Sequence, residues 1–221
     1  RGQALPASFK IAVPQSELRV SADGFKITPA MGLTTWISFS PQGRQTRAVA
    51  GIVLLEDEVG PIERAALTAG FSIVAIHNPF LREVPKVVIL RLEATGALDA
   101  LSDSARRLLD AIRQGRSAKG LQAGPTRLDS GLGAAALERD LGVRPQAVEG
   151  VLKFEFGRPP FVGSAAFQGT MEKAAVSGRL ALPPARCAEA VRALVEGGLE
   201  VVSLVSEAET GGPAVRVAYF W

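Results

Sequence analysis

The chain of 221 residues contains one histidine, His77, and one cysteine, Cys187. A lone cysteine excludes an intrachain disulfide; in an amphipathic helix, as the spacing around Cys187 predicts, it reads as a quiet buried thiol. A lone imidazole excludes a histidine pair or triad within one chain. Ser38, Ser72, Ser203 and Ser206 lack nucleophile-elbow spacing as well as a second histidine to activate them. No glycine-rich phosphate loop runs into Lys-Ser or Lys-Thr, and no dinucleotide fingerprint follows a first strand. No run approaches the roughly 18 apolar residues of a membrane-spanning helix, and no signal-like segment opens the chain. It begins at Arg1 rather than Met, which implies processing or trimming. Net charge is scarce too, since 25 basic and 22 acidic residues leave only +3. With both signs interspersed, the pI of 9.4 is weak evidence for a nucleic-acid partner.

What the chain does have is apolar content, 47% of residues with a mean hydropathy of +0.19, and an internal repeat. Residues 47–93 resemble residues 174–220: Gly51 aligns with Gly178, Gly70 with Gly198 and Pro85 with Pro213. The expected fold is α+β, with two homologous modules related by a pseudo-two-fold. Each would be an antiparallel-rich sheet with helices packed on one face. The first module is predicted over residues 1–116, a linker over 117–127 and the second, divergent module over 128–221.

Alternation places a strand at residues 9–13, and Ala22-Asp23-Gly24 reads as a turn. A strand at 34–39 turns Trp36 away from Ile37 and Phe39, and the valine-rich run 47–55 reads as a central strand. Glu56-Asp57-Glu58 opens a helix to about residue 68 and complements its dipole. A strand at 71–76 ends in His77-Asn78-Pro79, and residues 86–93 return antiparallel to it. The next helix, 99–113, turns Leu101, Ala105, Leu108, Leu109 and Ile112 inward and Arg106, Arg107 and Arg113 outward. In the second half the pattern predicts a helix at 132–141, a strand at 148–156 broken by Gly157-Arg158-Pro159-Pro160, strands at 165–168 and 174–182, a helix from Pro184, and a final strand pair.

Three functional readings follow. In the leading one the protein is a non-catalytic small-ligand-binding or structural protein, using His77, Asn78, Glu83 and Arg91 or the groove between modules, with no metal and no cofactor. Its partner would be a small molecule or another protein. The second is a hydrolase-like enzyme with His77 as base and Glu83 or Asp57 assisting. The third is nucleic-acid binding, with Arg106, Arg107, Arg113, Arg116 and Lys119 touching phosphates.

At GIVLLEDEVGPI, GFSIVAIHNPFLREVPKVVIL and VPQSELRVSADGFKITPAMGLTTWISF the sequence resembles the LppY/LpqO-like family of bacterial proteins, many of them exported or lipid-anchored. The resemblance spans residues 9–112 and, more faintly, 128–221. It implies a His-Asn-His at the strand end, a glutamate in the loop and a further histidine on the returning strand. His77, Asn78 and Glu83 match that pattern, whereas the other two histidines fall on Pro79 and Arg91. The resemblance thus implies an ancestral histidine cluster reduced to one imidazole. It also implies a periplasmic or extracellular location if a leader is removed, and a cytoplasmic one otherwise.

Overall fold

The computed structural model describes residues 2–5, 8–158, 161–208 and 214–221. Pro159, Pro160 and Pro213, which carry part of the strand-break and repeat readings, lie outside them. The fold is α+β, built on two six-stranded antiparallel sheets and one two-stranded ribbon. Its residues divide into two compact units. Unit 1 comprises residues 1–19, 33–77 and 85–124; unit 2 comprises 20–32, 78–84 and 125–221.

The sheet of unit 1 contains β1 (Gly2–Leu5), β2 (Ser8–Pro14), β5 (Thr34–Gln42), β6 (Gln45–Leu55), β7 (Ser72–His77) and β8 (Val87–Gly96). Their order is β1-β2-β5-β6-β8-β7. Alternation decides which side of each strand is buried. Ile37, Phe39, Ala50, Ile52, Leu90 and Leu92 all point to one face. There they join a single buried cluster with Ile62 and Ala66 of helix α1 (Val59–Thr68) and Leu101, Leu108 and Ile112 of helix α2 (Leu98–Ala118). A 3-10 turn, Glu56–Glu58, precedes α1. Helix α2 runs five residues past the predicted end at 113 and enters the stretch read as linker.

Unit 2 contains the ribbon of β3 (Val20–Ala22) and β4 (Phe25–Ile27), joined through Asp23 (φ 50°) and Gly24 (φ 82°). Two successive left-handed residues make the tight hairpin turn that Asp-Gly favours. Its sheet runs β9 (Gln146–Val148), β10 (Val151–Arg158), β11 (Phe161–Gly169), β12 (Ala174–Leu182), β14 (Ala214–Phe220) and β13 (Val201–Ala208) in spatial order. Helices α3 (Ala134–Leu141) and α4 (Pro184–Glu196) complete it, with Cys187 buried in α4. The continuous strand predicted over 148–156 is in fact two strands. Glu149 (φ 52°) and Gly150 (φ 86°) form a turn between β9 and β10 that unbroken alternation conceals.

The two large sheets share one strand order and one register. Trp36↔Gly51↔Arg91 in unit 1 corresponds to Ser164↔Arg179↔Tyr219 in unit 2, each position displaced by 128 residues. The irregularity between Ile73 and Ala75 recurs between Val201 and Ser203 at the same displacement. In ladder terms the counterpart of Gly51 is therefore Arg179, one residue beyond the Gly178 of the sequence alignment.

Candidate functional site

The residues singled out from the sequence are spread over both units. In unit 1, His77 pairs with Ile89 and Arg91 with Ala75 across β7 and β8, so the two side chains leave one face of the sheet at diagonal positions. This face lies opposite the buried cluster of strands and helices. Trp36 is on it as well, with the Arg91 guanidinium 4.5 Å and the Lys10 ammonium 4.8 Å from its ring centre, both in cation–π range. Arg47 and Glu93 form a 2.6 Å ion pair on the same face. His77 and Arg91 are both buried. Asn78, which is exposed, and Glu83, which is buried, belong to a segment of unit 2.

Asp57, the other candidate assistant to His77, is engaged elsewhere. Its carboxylate accepts a 2.7 Å hydrogen bond from Lys119, which holds its pKa below the ordinary carboxylate value. The same contact occupies Lys119, one of the five proposed phosphate ligands.

Arg116, expected among the phosphate-contacting cations, is instead buried, with only 2% of its side chain accessible. Its Nε and Nη2 donate to the two oxygens of Glu58 at 2.9 and 2.8 Å, Nη2 also to the Val53 carbonyl at 2.8 Å, and Nη1 to Glu17 at 2.6 Å and to Gln15. Burial opposes the charge and the Glu58 carboxylate more than restores it, so the guanidinium stays ionised. With its donors spent inside the unit, Arg116 presents nothing to a phosphate. Glu58 also accepts the Leu55 N–H at 2.9 Å, so one member of the acidic triplet caps the following turn while anchoring α2. Arg106 and Arg113 do face solvent, paired with Asp103 at 2.9 Å and Asp110 at 2.6 Å; Arg107 donates to Ser104 at 3.0 Å.

Arg106, Arg113 and Arg116 border a cleft of about 630 Å³ contained within unit 1. Ile11, Val13, Ile37 and Phe39, one face of β2 and β5, make its floor. Ala105, Leu109 and Ile112 of α2 make a wall, and Leu121 and Ala123 flank the far side. Helix α2 contacts β6 and β8, and the cleft opens where the β2–β5 part of the same face extends to its side. Arg106, Arg113 and Asp110 stand along the rim; Arg116, Gln15 and Glu17 close one end. The apolar side chains share the lining with Gln15, Thr35, Ser102, Ser117 and the charged groups, and the volume falls in the range of small-molecule sites.

Sequence reading identified the floor residues as a strand face and Leu109 as inward, but not the space between them. The available signal was Leu109 itself, which widens the apolar stripe of α2 toward Arg106 and Arg113. Among the described residues no group of three or more His, Cys, Asp and Glu side chains is placed to hold a metal ion. No helix among them is long and apolar enough to cross a membrane.

The alternating strands and the cleft-bearing first unit lie largely within a stretch, residues 1–111, that matches a known family model. The chain belongs to the family described as Domain of Unknown Function (DUF1259). No curated protein and no solved structure matches it.

Proposed function

We propose that this protein is a non-catalytic binding protein that takes a small, largely apolar molecule into the cleft of unit 1. The observation that carries the reading is the cleft itself: about 630 Å³, floored by Ile11, Val13, Ile37 and Phe39 and walled by α2. Burying apolar ligand surface there releases roughly 25 cal/mol per Å² before the costs of association. No acid–base pair in reach of the floor is needed for such a role, and Glu17 and Arg116 in its lining are paired with each other.

The neutral fluorophore N-phenyl-1-naphthylamine tests this. Saturable fluorescence enhancement at one probe per chain is expected. Val13→Trp should weaken it by about tenfold or more, because overfilling a packed site costs about 1–3 kcal/mol. Leu109→Phe, which fills the cleft from the helix side, gives the same test if Val13→Trp disturbs the strand. Enhancement that does not saturate, or that both variants leave unchanged while their thermal unfolding matches the parent, would reject the reading.

The common strand order, register and bulge position support a second part of the proposal, that the two sheets descend from one duplicated module. A relationship to the LppY/LpqO-like family fits the strand-end signature at His77, Asn78 and Glu83. With proline and arginine at positions 79 and 91, the face bearing His77 and Arg91 then becomes a remnant of a histidine cluster, its Arg91 stacked on Trp36.

A further inference from the structure

Resting on the cleft of unit 1 as the binding site, we infer that its ligand is an anionic amphiphile, a medium-chain carboxylate lying on the apolar floor with its head group at Arg106 or Arg113. Three arginines and two carboxylates, Glu17 and Asp110, line the cleft among apolar and neutral polar side chains, while Asp103 and Glu58, which pair with Arg106 and Arg116, lie outside the lining. The charges are also divided by availability. Arg116 and Glu17 are bound to each other at 2.6 Å at the closed end, with Arg116 locked further by Glu58. Arg106 and Arg113 stand on the open rim with 72% and 76% of their side chains exposed.

Their present partners, Asp103 and Asp110, lie three residues back on the same helix. Exposed pairs of that kind contribute little and rearrange readily, so a ligand carboxylate can share or replace them. Arg106 and Arg113 are seven residues apart, two turns or about 10.5 Å along α2, with Leu109 on the wall between them. A chain lying against Leu109 therefore ends beside a guanidinium whichever way it runs. An alcohol of the same length would gain the floor but only a neutral hydrogen bond at the rim, and an alkylammonium would meet like charge.

Displacement of N-phenyl-1-naphthylamine by decanoate, 1-decanol and decylammonium, all below micellar concentration, separates the possibilities. Wild-type protein should bind decanoate about tenfold more tightly than either competitor, the difference expected between charged and neutral hydrogen bonds. The decanoate-to-decanol ratio should fall about tenfold in Arg106→Gln/Arg113→Gln and recover in part in Arg106→Lys/Arg113→Lys. It should also shrink with added salt, since the rim is exposed. If decanol displaces the fluorophore as well as decanoate does, or the ratio is unchanged in the glutamine variant, the head-group inference is wrong while the cleft remains a binding site. If wild-type protein does not bind the fluorophore at all, the cleft reading falls and this inference falls with it.

Discussion

At position 51 a methyl group would stand 2.7 Å from Trp36 Nε1, 2.9 Å from its Cε2 and 3.2 Å from Arg91 Nη1. Glycine is there because the indole and the guanidinium occupy the space a side chain would take, in the cross-strand row Trp36, Gly51, Arg91. The second sheet fills the equivalent row with Ser164, Arg179 and Tyr219, so bulk moves to the middle strand where the first strand becomes small. Gly51→Val should therefore destabilise the protein by about 1–3 kcal/mol, because both stacked groups must move. The midpoint of urea unfolding measures this; an unchanged midpoint would show that the row is loose. A glycine inside a central strand reads as a close approach or a bulge; at Gly51 it is a close approach, and the groups that approach are set by the register with the preceding strand and with β8.

At the scale of elements, α2 is held at its C-terminal end by polar contacts as well as by its apolar stripe. Arg116 ties the last turn to Glu58 before α1, to Val53 at the end of β6, and to Gln15 and Glu17 just beyond β2. The stripe Leu101, Ala105, Leu108 and Ile112 was legible from spacing alone, since core helices repeat at three and four residues. The lock was not, because an arginine between Gly115 and Ser117 at the border of the expected linker carries no apolar spacing, and its partners lie up to about a hundred residues away. Glu58→Ala should cost about 3–5 kcal/mol, since it leaves a buried guanidinium short of its main counterion and the Leu55 N–H without its acceptor. Chemical denaturation checks the cost, and a loss below about 1 kcal/mol would mean the lock is replaced by solvent. The Glu149–Gly150 turn shows the opposite failure of periodicity. Alternation at 148–156 survives a two-residue hairpin, so pattern alone could not place the break between β9 and β10.

At the scale of the molecule, the division predicted at 117–127 differs from the compact units, because Val20–Gly32 and Asn78–Val84 belong with the later half. Within unit 2 these segments are fastened by specific bonds. Ser177 donates to the Met31 carbonyl at 2.7 Å, and Gln168 to the Lys26 carbonyl at 3.0 Å. Phe80 meets the Trp221 ring edge-on at 5.7 Å, and Ser21 pairs with Val84. Arg82 (φ 57°) bridges Asp23 at 2.9 Å and Glu200 at 2.5 Å, while the Trp221 indole N–H donates to Asp23 at 2.9 Å. Nothing local in the sequence marks such long-range fastening.

The hydrogen bond from Arg82, with that from Trp221, holds the Asp23 carboxyl at about 2 against an ordinary 3.8, and the hydrogen bond from Arg82 lowers Glu200 as well. A carboxyl depressed on folding adds stability that is complete above its unfolded pKa and disappears as pH falls through the folded one. Unit 2 should therefore lose this contribution between about pH 4 and pH 2. Asp23→Asn should flatten that part of the curve while leaving the Glu200 contribution in place. Unfolding midpoints measured across the interval test it, and an identical slope in the variant would remove Asp23 from the account.

The central claim is that the cleft of unit 1, not the face bearing His77 and Arg91, receives the ligand. Amide hydrogen exchange with and without saturating N-phenyl-1-naphthylamine tests it most directly, because exchange reports local opening residue by residue. Slowed exchange is expected in residues 9–17, 34–39 and 102–117, which carry most of the cleft lining. Slowing concentrated instead in residues 72–91, around His77, Asn78 and Arg91, would contradict it.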